Sequence, residues 1–182
     1  MRSDFKFKHH YKTVKGIKWY WVEAGEGGPV VLLHGIPESW KCWKHQIPKL
    51  TTQFKVLAID LKGYGQSDKS EGDYSMNKGA SQVIDLLDMI GVINFRLAGH
   101  DCGVAISDNI VNQISHRVEL YVWSCLSLHN YDPRNSLHHQ WNSLNSEKAS
   151  KLMNKSESYV RVCLKALVKK GYYLMKRNWK KL

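Results

Sequence analysis

Gly99-His100-Asp101-Cys102-Gly103 places a carboxylate between two glycines, with an apolar run on one side (residues 95–98) and a helical spacing on the other (residues 104–114). The pattern predicts a strand, a sharp turn and a helix, with Asp101 at the apex. So tight a turn forces its central residue into a strained backbone conformation and demands small residues two positions to either side, which Gly99 and Gly103 supply. A serine at such an apex makes an acyl-enzyme. An aspartate there attacks carbon instead: a carbon–heteroatom bond opens and an alkyl-enzyme ester forms. Water must then cleave that ester, so the rest of the chain has to hold the developing oxyanion and activate the water. The competing reading of Asp101 is a plain helix N-cap, a role aspartate fills well.

A second loop fits the first demand. His34-Gly35-Ile36-Pro37-Glu38 follows the apolar run at residues 29–33. A loop at the end of a buried strand can aim a backbone N–H, here that of Ile36, at developing negative charge, with the Cys102 N–H as the second donor. His34, Gly35 and Pro37 shape this loop, and His34 is expected to orient backbone rather than to act as a base. Asp60-x-x-Gly63-x-Gly65-x-Ser67 closes another strand. Asp60 reads as a structural loop carboxylate, and the glycine pair as a turn rather than a phosphate cradle. The pairs His9-His10 and His138-His139 lack the i, i+4 spacing of a helical metal site, so neither metal nor cofactor is expected.

The elements that must position these groups can be read from periodicity. Residues 10–14 and 17–24 form a hairpin across Lys15-Gly16. Residues 29–33, 55–59, 95–98 and 118–125 are continuous apolar runs typical of buried parallel strands. Residues 39–50, 77–90 and 104–114 carry helical spacing. Strands alternating with helices predict an α/β domain, a mostly parallel twisted sheet with helices on both faces. Trp19, Trp21, Trp40 and Trp43 are expected to pack in its core.

The loop at His34, the Asp60 segment and the Asp101 elbow, in this order and spacing, resemble the α/β-hydrolase superfamily, and more narrowly its epoxide hydrolase and dehalogenase branch with an aspartate nucleophile. Haloalkane dehalogenases carry Asn and Trp at the positions of Ile36 and Cys102, and fluoroacetate dehalogenases carry Arg at that of Cys102. None of these is present here, and His-Gly-x-Pro-Glu with an apolar x is similar to epoxide hydrolases, in which Trp is more usual at the position of Cys102. The resemblance implies a small electrophile such as an epoxide as substrate. It also implies a core over residues 1–127 and a partial helical cap with a basic tail over residues 128–182. Two cap tyrosines that hold the epoxide oxygen are also implied; the candidates are Tyr131, Tyr159, Tyr172 and Tyr173, with Tyr131 and Tyr159 taken first, although nothing in the sequence selects among the four. The family's base histidine and last strands lie beyond the point reached by residue 182, and the acid that orients that histidine has no clear counterpart. The expectation is therefore a C-terminally truncated hydrolase that forms the ester and turns it over poorly. The alternative is a non-catalytic remnant or binding module of the same fold, self-associating through an exposed sheet edge at residues 118–125.

Composition narrows the class. The 182 residues suffice for one domain with a real core. The sequence contains no membrane-length apolar run and no signal-like N-terminus, which points to a cytoplasmic protein. The four cysteines are scattered, as expected of free thiols. The net charge of +11 is concentrated at the ends: residues 1–20 carry six basic side chains against Asp4, and residues 165–182 carry seven and no acid. With a near-neutral body between them, these ends read as solvated segments, and no nucleic-acid partner is expected.

Overall fold

The computed structural model describes residues 6–124. They belong to the first of two compact units, Met1–Leu126 and Ser127–Leu182. The expected cap, with Tyr131 and Tyr159, lies outside the described residues.

Six strands form one sheet: β1 (Lys8–Val14), β2 (Ile17–Ala24), β3 (Gly28–Leu33), β4 (Phe54–Asp60), β5 (Phe95–His100) and β6 (Val118–Ser124), in the spatial order β1-β2-β4-β3-β5-β6. β1 and β2 are an antiparallel hairpin, and β2 joins β4 antiparallel. The pairs β3–β4, β3–β5 and β5–β6 are parallel. Side chains alternate across the sheet, so neighbours in sequence serve opposite faces. Trp19, Trp21, Val31, Leu33, Leu57, Ile59 and Leu97 face one side; Tyr20, Val22, Val30, Leu32, Val56 and Ala58 face the other. Both sides are dry, which is why β3 and β4 read as unbroken apolar runs.

Helix α2 (Met76–Met89) covers the first face with Ala80, Val83, Leu86 and Leu87, and α3 (Cys102–Ile114) adds Ile106 and Ile110. The Ser75 side chain accepts the Lys78 N–H and starts α2. The opposite face is covered by short turns that bring Trp40 and Ile47, so among the described residues both long helices share one face. The four tryptophans accordingly divide: Trp19 and Trp21 lie under α2 and α3, whereas Trp40 and Trp43 pack on the other side. The helix expected over 39–50 is two separate pieces, a 3-10 turn at Trp40–Trp43 and a single helical turn, α1, at Ile47–Leu50. Pro48 is the reason. It has no N–H and its ring would strike the Lys44 carbonyl of a continuous helix, but it suits the first turn of a new one.

Candidate active site

The strand order fixes where the site sits. The chain leaves β3 toward β4 on one side, and leaves β5 toward β6 on the other. The loops following β3 and β5 therefore diverge, opening a crevice at the carboxyl ends of the sheet, the place where open α/β sheets bind ligands. The loop at His34 follows β3 and the Asp101 turn follows β5.

Asp101 has φ 50° and ψ −121°, a conformation that costs a non-glycine residue about 1–3 kcal/mol. Its side chain makes no capping hydrogen bond to α3. Instead Oδ2 accepts the Ile36 N–H at 2.9 Å, from a residue 65 positions away. The N-cap reading therefore fails, and the carboxylate lies against the loop that follows β3. The Cys102 N–H occupies the first position of α3, where no intrahelical acceptor exists.

Three glycines allow this approach. A Cβ on Gly103 would collide with the carbonyl oxygen of Leu33, and one on Gly99 would stand 2.7 Å from that of Gly103. A Cβ on Gly35 would lie 2.5 Å from the Asp101 Cβ and 2.7 Å from its Oδ2. A larger residue at Gly35 or Gly103 drives the β3 loop and the elbow apart, and one at Gly99 drives β5 from α3.

His34 is fully buried, donates from Nδ1 to the Gly35 carbonyl at 2.7 Å and accepts the Leu61 N–H on Nε2 at 3.0 Å. Both ring nitrogens are engaged in the neutral form, and burial holds its pKa below the ordinary value. It ties the loop after β3 to that after β4 and has no lone pair left for proton abstraction. Asp60, 1% exposed, accepts the Trp40 N–H at 2.7 Å and the Gln66 N–H at 2.8 Å. Its backbone carbonyl accepts the Ser67 hydroxyl at 2.6 Å. It is a loop clamp.

Glu38 belongs to the same assembly, and sequence reasoning left it without a role. Its N–H donates to the Gly35 carbonyl at 3.1 Å while Oε2 accepts the Gly35 N–H at 3.0 Å, closing the turn that presents Ile36. Its other oxygen lies 3.7 Å from His100 Nε2. A carboxylate three residues beyond a glycine in a tight turn was the available signal. Pro37 follows Ile36 through a cis peptide bond.

Cys102 and Cys42 are free thiols. Burial and the neighbouring Asp101 carboxylate push the Cys102 pKa up to about 12, so the thiol is neutral and a poor nucleophile. Burial, followed by the charge of Glu38, raises the Cys42 pKa further. Burial, then nearby acidic groups including Asp101, pushes Tyr64 up to about 12. Among the described residues no group of three His, Cys, Asp or Glu side chains is arranged to hold a metal, and no helix is long and apolar enough to cross a membrane.

Residues 28–165 match the alpha/beta hydrolase fold. The chain belongs to the α/β-hydrolase family. Within the family it falls in the epoxide hydrolase-like branch. It is 38% identical over 99 residues to a soluble epoxide hydrolase of Corynebacterium sp. (strain C12), covering 54% of this chain and 35% of that protein. It is 43% identical over 97 residues to bifunctional epoxide hydrolase 2 of Mus musculus, covering 51% and 18%. Among solved structures, an epoxide hydrolase from Vigna radiata superposes with a TM-score of 0.64 at 31% identity, over 72% of this chain and 42% of that one. The matched part of this chain spans about a third of the first relative's length and less than a fifth of the second's.

Proposed function

We propose that this chain opens an epoxide or a related carbon electrophile by attack of Asp101, forming an alkyl-enzyme ester. The observation that carries this reading is the Ile36 N–H on Asp101 Oδ2. In an aspartyl mechanism Oδ1 forms the bond to carbon, the epoxide C–O bond breaks, and the departing oxygen takes a proton. Oδ2 is then the carbonyl oxygen of the ester. When water attacks Cγ, the negative charge develops on Oδ2 itself, where the Ile36 amide already points and the Cys102 amide can join it. Cleavage of the ester releases a diol and restores the carboxylate. A serine at the apex would place its oxyanion on the substrate, and a donor pre-set on the nucleophile's own oxygen would then serve no purpose.

Protonation of the opened oxygen falls, by the family resemblance, to Tyr131 and Tyr159 in the cap assigned to residues 128–182. Among the described residues neither histidine of the two motifs is placed as the water-activating base: His34 has both nitrogens engaged and His100 turns toward Glu38. The ester is accordingly expected to persist. The free thiols of Cys42 and Cys102 support a cytoplasmic setting. Incubation with styrene oxide followed by intact-mass analysis and peptide mapping tests the reading. A single adduct on Asp101, with diol released slowly, is expected. Absence of both adduct and diol refutes it.

One observation favours a second reading, a binding module. β6 is the last strand of the sheet among the described residues, and Leu120, Val122 and Trp123 are each more than half exposed on it. Such a strand is a template for pairing with a second copy. Sedimentation velocity across a concentration series tests this. A concentration-independent monomer eliminates it.

A further inference from the structure

Beside the nucleophile the described residues enclose a cavity of about 150 Å³, lined by Ile36 and Cys102 together with Trp19, Leu61, Met76 and Ile106. Ile36 donates its N–H to Asp101 and Cys102 follows Asp101 in the chain, so the cavity lies next to the nucleophile. Its remaining walls come from the loop after β4 and from α2, including Tyr74, Ser75 and Lys62. The polar ends of these three are occupied elsewhere. The Tyr74 hydroxyl donates to the Ser70 carbonyl at 2.8 Å, and the Ser75 hydroxyl accepts the Lys78 N–H at 3.3 Å. The Lys62 ammonium sits 4.5 Å over the Tyr74 ring and donates to the Glu71 carbonyl at 3.4 Å. Tyr64 and Gln82 complete the lining, the Trp19 indole N–H has no partner among the described residues, and the Cys102 thiol is uncharged.

We propose that this cavity is a subsite for a phenyl-sized apolar group on the electrophile, and that Cys102 sets its size. The proposal rests on Asp101 being the nucleophile for its account of the substrate, but not for its account of binding. A mostly apolar cavity of about 150 Å³ is large enough for a benzene ring. Cys102 occupies the first position of α3, directly after Asp101. A small side chain there leaves open the volume that a large aromatic one would fill. A ring seated between Met76 and Cys102 would hold the carbon attached to it near Asp101. A substituent added to the far side of that ring would meet Trp19 and Ile106 in the packed core.

Benzene is the direct probe. Saturation-transfer NMR on the full chain should show benzene binding, and Cys102→Trp and Met76→Phe, which fill the cavity from opposite walls, should each weaken it by about tenfold or more. Styrene oxide should alkylate Asp101 about tenfold or more faster than 4-tert-butylstyrene oxide, whose reacting carbons are similar but whose ring is too large. No benzene binding, or binding that neither variant weakens, overturns the proposal. Equal alkylation by the two epoxides also overturns it while sparing the nucleophile. Benzene binding lost in both variants, with no adduct from either epoxide, establishes the cavity as a ligand site and instead refutes the role of Asp101.

Discussion

Gly35→Ala isolates the contact on which the proposed chemistry depends. The added Cβ would stand 2.5 Å from the Asp101 Cβ, 2.7 Å from Oδ2 and 3.1 Å from Cγ. Carbon atoms rest at about 3.5–4.0 Å, so the elbow and the loop must separate by about 1 Å or more. Gly35 does not have positive φ, and alanine there is unstrained in itself; the whole effect is the clash. Overpacking of this kind costs about 1–3 kcal/mol of stability. The functional cost is larger, because the displaced group is the one the Ile36 N–H contacts. A misplacement of about 1 Å at a reacting centre lowers the alkylation rate about a hundredfold, and loss of the oxyanion donor falls on the later ester hydrolysis, which it slows about a hundred- to a thousandfold. The assay is the rate of Asp101 alkylation by styrene oxide, followed by intact mass well below the melting temperature. Gly16→Ala is the control: a Cβ there meets nothing within 4 Å, while its φ of +80° makes alanine strained. It should lower stability and leave the alkylation rate alone. A Gly35→Ala chain that alkylates as fast as its parent refutes the argument.

Three further outcomes are expected. Asp101→Asn should abolish the adduct while changing stability by no more than about 1 kcal/mol, since Asn tolerates positive φ and its amide oxygen can still accept the Ile36 N–H; denaturant melts together with intact mass check both. Iodoacetamide at about pH 8 should modify the Cys102 peptide about a thousandfold more slowly than an unperturbed thiol of pKa 9.0, because its pKa is about 12; fast labelling in the folded state contradicts this. His34, whose pKa lies below 6.5, binds its proton more readily in the unfolded chain. Its contribution to stability is therefore complete above about pH 6.5 and is lost as pH falls below that value, by at most about 1.4 kcal/mol per pH unit. Urea melts from about pH 8 to pH 5 should show the fall, and His34→Gln should flatten it. An unchanged slope in the variant disproves the assignment.

Much of this arrangement is legible in the residues themselves. β3 and β4 announce themselves as apolar runs because both their faces are covered, and the Asp101 elbow because its glycines are steric necessities rather than preferences. Residues 39–50 misled because Trp40, Trp43, Ile47 and Leu50 repeat at helical intervals, while Pro48 interrupts the backbone hydrogen bonding that such spacing presumes. The meeting of the Ile36 amide with Asp101 is not written locally at all. It requires β3 and β5 to be neighbours although β4 and α2 intervene in the chain, and that adjacency comes from the crossovers. The apolar cavity is hidden for the same reason. Its walls come from several separate segments, and only their assembly shows that Tyr74, Ser75 and Lys62 turn their polar ends away.

The buried clamps His34 and Asp60 bear on the timing of order in this site. Between them they bind backbone groups of Gly35, Trp40, Leu61 and Gln66, so the loops after β3 and β4 are cast as one piece when the chain folds. The entropy of arranging the Ile36 donor is spent before any ligand arrives, and docking has little left to organise on this side. These loops are tied to one another in advance, and on the proposed reading selection among ligands acts through what fits them rather than through any reshaping of the loops around the guest.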